Sequence, residues 1–139
     1  MKIKTKQIKN YFLYLCIIGI SIFVLFFIIT CTWIGYEIKS VCREAKNTYG
    51  AKLNCSQVLA KTLDDNKQSF KNKNDAIWAL GQIGNPDSLP ILQKYYTGII
   101  PAREPLYRTI SQYELKKAIN LVNGGTNISA FIWRGMKIE

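Results

Sequence analysis

Between Lys9 and Glu37 the chain carries no charged side chain. The stretch inside these limits, YFLYLCIIGISIFVLFFIITCTWIGY, runs from Tyr11 to Tyr36. A bilayer core of about 30 Å needs about 20 apolar helical residues, and this run exceeds that. Backbone groups left unpaired in lipid are costly, so the segment is expected to be helical despite its β-branched residues. Tyr11, Tyr14, Trp33 and Tyr36 lie near its two ends, where interfacial aromatics collect. A cleaved secretory signal has an apolar region of about 7–15 residues and a small-x-small site after it. This run is longer and no such site follows it. Ile-Ile-Thr before Cys31 is a poor match to a lipoprotein processing site. The organisation expected is a basic segment at 1–10, a transmembrane helix at 11–36, a juxtamembrane helix and turn at 37–53, and a helical domain at 54–139.

With 139 residues, the chain has room for one modest domain after such an anchor. Of its net charge of +10, four charges (Lys2, Lys4, Lys6 and Lys9) precede the apolar run. The remaining 15 Lys and Arg stand against 9 Asp and Glu. That mild excess, without an Arg-rich run or a glycine-aromatic motif, argues against nucleic acid as a partner. It fits a solvated basic surface near anionic lipid. Lys39, Arg43 and Lys46 follow the run, so the bias in basic residues is small. It favours a cytoplasmic N-terminus and an extracytoplasmic domain.

Cys16 and Cys31 lie inside the apolar run and read as small apolar residues. Cys42 and Cys55 lie beyond it. Outside the cytoplasm they are candidates for a disulfide tying the juxtamembrane helix to the next one; inside, they would be free thiols. The chain has no histidine. That removes Ser-His and Cys-His nucleophile pairs, imidazole bases and His-containing zinc sites. Asp64 and Asp65 are adjacent and point in different directions, unlike the facing carboxylates of glycoside chemistry. No strand–glycine loop–helix unit cradles a phosphate. No catalytic, cofactor or metal residue is assigned, and a non-enzymatic role is expected.

The rest of the chain reads as helices. Ile38, Val41, Cys42 and Ala45 have helical spacing, continuing the membrane helix to about Gly50. A second helix spans about Ser56 to Asp65, with Val58, Leu59 and Leu63 as its stripe and Asn54 or Ser56 as its cap. NKQSFKNKN reads as a polar turn. The clearest helix follows, with Asn74 as its expected N-cap and Ala76, Ile77, Leu80 and Ile83 on one face. Ala79 and Gly81 are small and admit a neighbouring helix. Gly84 and Asn85-Pro86-Asp87 end it, and a helix with Leu89, Leu92, Tyr95 and Tyr96 pairs back as an antiparallel hairpin. IIPAREPLYRT is a loop between prolines. Ser111-Gln112-Tyr113-Glu114 reads as a capping box that opens a capping helix at 111–123 with Leu115, Ala118, Ile119 and Val122 inward. Ile128, Phe131, Ile132 and Trp133 make the tail too apolar to hang free.

Residues 75–92, DAIWALGQIGNPDSLPIL, resemble a HEAT-type repeat of phycobilisome-lyase-like proteins. The features that carry the likeness are Ala76, Ala79, Leu80, Gly81, Ile83, Gly84, Pro86, Leu89, Pro90 and Leu92, in register. AIWALGQIGN, SQYELKKAI and GGTNISAFIWR together resemble bacterial membrane-anchored HEAT-repeat proteins to which no activity attaches. The resemblance implies an all-α, superhelical stack of hairpins and contact with other proteins. It does not imply lyase chemistry, because those lyases are longer arrays. A single repeat cannot bury both of its faces, so the 111–123 helix and the tail must cap it, or an oligomer must.

The leading expectation is a membrane-anchored adaptor or scaffold for an unknown protein partner. Candidate contact residues are Trp78, Tyr95, Tyr96, Arg103 and Arg108. Trp78 reads first as core packing against the 111–123 helix or the tail, and second as an exposed anchor. Arg103, Glu104 and Arg108 read as a solvated loop or as a docking loop for an acidic partner. Two alternatives stand beside the adaptor. One is an accessory lyase-like or chaperone-like subunit, which needs a deep polar-lined pocket. The other is a structural protein that self-associates as a homo-oligomer through Cys16, Gly19 and Ser21. The part from about Ser40 onward is expected to fold alone.

Overall fold

The computed structural model describes the backbone of residues 2–135 and the side chains of residues 7–135. Met1, the side chains of Lys2, Lys4 and Lys6, and residues 136–139 at the end of the expected 54–139 domain lie outside the described residues.

One uninterrupted helix, α1 (Lys2–Tyr49), carries the apolar run and continues past it. The Ser and Thr hydroxyls of the apolar run are satisfied within the helix. Ser21 donates to the Ile17 carbonyl at 2.8 Å, Thr30 to Phe26 at 2.9 Å and Thr32 to Ile28 at 2.8 Å. These three hydroxyls therefore need no water, while the polar groups of Tyr11, Tyr14, Trp33 and Tyr36 lie near the two ends of the run. The residues from Ile8 to Thr30 are exposed on every side. Then Cys31, Gly35, Ile38, Cys42 and Ala45 form a buried stripe along one face. Gly50, at φ 110°, takes the left-handed conformation that ends the helix.

After α1 come α2 (Cys55–Asp64), α3 (Phe70–Ile83), a 3-10 turn at Pro86–Ser88, α4 (Leu89–Tyr95), α5 (Gln112–Val122) and α6 (Ala130–Trp133), of which α2, α3 and α6 pack on α1. Among the described residues all regular structure is helical, so the chain is all-α. Asn54 caps α2 through a reciprocal pair with Gln57: its side chain accepts from the Gln57 amide at 2.9 Å, while Gln57 Oε1 accepts from the Asn54 amide at 3.1 Å. The core joins Cys42 and Ala45 of α1 to Val58, Leu59 and Leu63 of α2, and to Ala76, Ile77, Ala79 and Leu80 of α3. Leu92 of α4 and Leu115, Ala118 and Val122 of α5 complete it. Most of the inward stripes read from the sequence are these residues, while Val41, Ile83, Leu89, Tyr95, Tyr96 and Ile119 are partly buried at the core's edge. α3 lies between α2 and α5, its two most extensive neighbours. After the turn at Pro86, the short α4 leans chiefly on α5 and not back along α3, so the antiparallel α3–α4 hairpin expected from the sequence is replaced by packing of α4 on α5.

Other details differ from the sequence reading. α3 begins at Phe70, inside the stretch taken as a turn, with Ser69 as its N-cap; the Ser69 hydroxyl accepts from the Asn72 amide at 3.1 Å. Asn74, expected as that cap, stands inside the helix and is buried. Polar residues in the first turns of α3 hid its helical character, because part of its inward face is amide rather than apolar. The capping box at Ser111 is half formed. Ser111 Oγ accepts from the Glu114 amide at 3.0 Å, but the Glu114 carboxylate turns to Lys117.

The tail returns to α1. Trp133 is fully buried and packs with Ile38 and Ala130, flanked by Ile34, Trp78 and Ile83. Arg134 donates to the Gln82 carbonyl at 2.8 Å, placing a cation at the C-terminal end of α3. Asn127 Nδ2 donates to Gln82 Oε1 at 2.8 Å. Ile128 and Phe131, expected to be drawn in with the tail, are exposed instead.

Candidate functional site

α3 runs from the far end of the domain back towards the apolar run. Its first turns lie near the last turn of α1, where Asn72 and Asp75 share a groove with Thr48 and Tyr49. Its last turn, at Ile83, meets Ile38 and Trp133. The domain thus has an end proximal to the apolar run and a distal end. Arg103 and Arg108 belong to the distal end, on the segment between α4 and α5.

Three polar side chains hold this segment. Asn74 Nδ2 donates to the carbonyls of Leu106 at 2.8 Å and Thr109 at 3.0 Å, while Asn74 Oδ1 accepts from the Ser111 amide at 2.8 Å. Glu104 accepts from the Ser111 hydroxyl and from the Gln112 and Tyr113 amides, at 2.7 Å and 3.3 Å respectively. Its carboxylate therefore meets the positive end of α5. Gln112 Oε1 accepts from the Thr97 amide at 2.8 Å, and its Nε2 donates to the Tyr95 carbonyl at 3.2 Å. Each buried carbonyl met in this way removes a reason for the loop to move.

What the pinned loop turns outward is apolar and basic. Tyr107 is 79% exposed and Ile99 75% exposed, with Leu106 exposed beside them in the chain. Arg103 and Arg108 are exposed too, and neither forms an ion pair among the described residues. Glu104, the carboxylate nearest in sequence, is occupied by the α5 amides.

The other candidates have different surroundings. Trp78 is half-buried and packs against both the main core and the Trp133 cluster, and it lines a narrow groove with Gly81, Gln82 and Ala118. Tyr95 and Tyr96 are half-buried against the core. The Tyr95 hydroxyl donates to Asp64 at 2.7 Å, beside the Lys94–Asp64 ion pair. The hydrogen bond from Lys94, and then that from Tyr95, hold the Asp64 carboxyl below its usual range. The five residues are therefore not one surface: the two arginines share the distal loop, and the three aromatics serve packing.

Cys42 and Cys55 are paired as a disulfide, with Cα atoms 5.5 Å apart. Beside them Tyr49 donates to Asp65 at 2.6 Å and accepts from Gln68 at 3.1 Å. A shallow groove between α1, α2 and α3 is lined by Val41, Ala45, Tyr49, Leu59, Asn72 and Asp75, among others. Among the described residues, no three Cys, Asp or Glu side chains gather as a metal site. Asn74, Glu104 and Gln112 were not singled out from sequence as loop supports; their partners lie up to 37 positions away.

The PBS lyase HEAT-like repeat family matches residues 74–97, which cover most of α3, the 3-10 turn and α4. The chain thus carries a HEAT-like repeat within an all-helical fold. No curated protein and no solved structure matches it.

Proposed function

We propose that this HEAT-like repeat protein is a membrane-anchored, non-enzymatic adaptor whose distal loop receives a protein partner with an acidic and apolar binding segment. The observation that carries the reading is the loop itself. Asn74, Glu104 and Gln112 hold it in one shape while Ile99, Leu106 and Tyr107 face solvent beside two arginines without ion pairs among the described residues. Large exposed aromatics and arginine are the side chains that dominate binding energy at protein interfaces. A preformed loop also loses little freedom on binding.

The anchor supports this reading. α1 is long and apolar enough to cross a membrane. Its stripe from Cys31 to Ala45 is also part of the domain's packing, so cleavage within that stretch would strip Ile34 or Ile38 from Trp133. That favours an anchor that stays attached. Tethering holds a bound partner near the membrane. The Cys42–Cys55 disulfide and the lysines before the run favour an extracytoplasmic domain. Thiol alkylation in intact cells, before and after reduction, tests the topology: free thiols at both positions would place the domain inside.

The adaptor is tested with a photo-crosslinking residue at Arg103 or Tyr107 of the full chain in its native cells, with Lys52 as a control. The expected result is one partner attached at both loop positions, absent at Lys52, with the product at 107 lost in an Arg103→Glu, Arg108→Glu variant. Only self-crosslinks would support the self-associating alternative. No product above the control would overturn the docking loop.

A further inference from the structure

The apolar run is longer than a bilayer needs, and the protein covers its surplus. As a helix, Tyr11 to Tyr36 extends about 39 Å against a core of about 30 Å. The first 20 residues of the run, Tyr11 to Thr30, suffice to cross it. The buried stripe of α1 begins with the very next residue, Cys31, and includes Gly35, both before the first charge at Glu37. Part of the domain is therefore packed beside α1 at the depth where the run leaves the hydrocarbon.

The tail packs at that depth. Trp133 and Ala130 cluster with Ile38 and Ile34 of α1. Trp33 and Tyr36, exposed on α1, mark the same level as interfacial aromatics. On the tail itself Phe131 is 93% exposed and Ile128 is exposed, although a fully buried tryptophan stands two residues away. Phe131 and Ile128 thus stand exposed on the same short segment whose Ala130 and Trp133 pack against Ile34 and Ile38 of α1.

We infer that residues 128–133 form a second, interfacial contact with the bilayer, in which Phe131 and Ile128 enter the boundary between headgroups and acyl chains. The inference rests on the reading of α1 as a membrane anchor. The contact fixes the height and rotation of the domain, so the proximal end rests on lipid and the distal loop points away. Trp133, held between α1 and α3, transmits that seating to the core, and Arg134 fastens the segment to α3.

The full chain, reconstituted in vesicles of phosphatidylcholine and phosphatidylglycerol, tests this with an environment-sensitive fluorescent amino acid in place of Phe131, Tyr107 or Phe23. Lipids brominated near the headgroup end of the acyl chain are expected to quench the probe at 131 and shift its emission to the blue. The probe at 107 is expected to stay aqueous, and the probe at 23 to be quenched by deeply brominated lipid. An aqueous signal at 131 with quenching at 23 would overturn the interfacial contact while the anchor stands. No quenching at 23 would overturn the anchor reading itself. Equal shallow quenching at 131 and 107 would overturn the proposed seating, because the domain would then lie flat on the surface.

Discussion

Gly81 of α3 and Ala118 of α5 meet with no room for a side chain between them. A Cβ placed on Gly81 would stand 2.6 Å from the Ala118 Cα and 2.8 Å from its Cβ. Neither is the movable end of a long side chain, so one helix would have to shift. Gly81→Ala in the full chain in detergent is expected to destabilise by about 1–3 kcal/mol, the usual effect of overpacking a filled core. Gly19→Ala, where nothing lies within 4 Å, is the control and should leave the unfolding midpoint unchanged. Equal midpoints for the two variants would refute the close approach.

Asn74→Ala removes the groups that satisfy two carbonyls and one amide of the distal loop. A loss of about 1–3 kcal/mol is expected for the stranded buried groups. The loop should also loosen, so trypsin should cut after Arg103 and Arg108 faster than in the unmodified chain. Unchanged cleavage with lowered stability would mean that Asn74 supports the core alone.

Trp133 joins the tail to α1, and its indole N–H has no acceptor among the described residues. Trp133→Ala is expected to cost about 3–5 kcal/mol, as for other large aromatics cut back in cores. Trp133→Phe keeps most of the apolar bulk and removes the stranded N–H, so its cost should be far smaller. A fragment beginning at Ser40 lacks Ile34 and Ile38, the α1 side of the cluster, and should unfold at a lower temperature than one beginning at Thr32.

Acidification acts through two adjacent aspartates. Hydrogen bonding from Lys94 lowers the Asp64 pKa, and hydrogen bonding from Tyr49 lowers that of Asp65. The unfolded chain takes up these protons more readily, so their contribution is full above the ordinary carboxylate pKa of about 3.9 and is lost as pH falls through the lower folded values. Tyr49 shows the opposite sign. Burial first, then the bond to Asp65, raise its pKa, so its contribution is full below about pH 10 and is lost as pH rises through the folded value. Midpoints measured across pH for the unmodified chain and Asp65→Asn should converge in acid. A constant gap would exclude the linkage.

The helices were legible where apolar residues recur at helical spacing, as at Val58, Leu59 and Leu63 or at Leu115, Ala118 and Val122. The small pair Ala79 and Gly81 also announced a close neighbour. Asn74 misled because a buried amide inside a helix and an exposed N-cap use the same residue type; only the distant carbonyls of Leu106 and Thr109 tell them apart. Glu114 misled in a similar way, because the Ser111 amide it was expected to satisfy is taken by Asn74 from elsewhere. Arg103 and Arg108 stood out in the sequence, but the clamp that gives their loop its shape is built from pairs remote in the chain. That Phe131 would face outward while Trp133 faced inward depends on how the tail meets α1, which no local pattern encodes.

The continuity of α1 has a mechanical consequence. Its 48 residues extend about 72 Å as one rod, with neither Gly nor Pro between Glu37 and Tyr49 to act as a joint. The disulfide at Cys42 and the Trp133 cluster at Ile38 bolt the domain to that rod. In a bilayer, helices answer a change in thickness by changing their tilt. If α1 is the membrane anchor proposed above, a rigid rod would turn that tilt into a sideways sweep of the far loop, so the thickness and lateral order of the membrane would set where the proposed partner is carried.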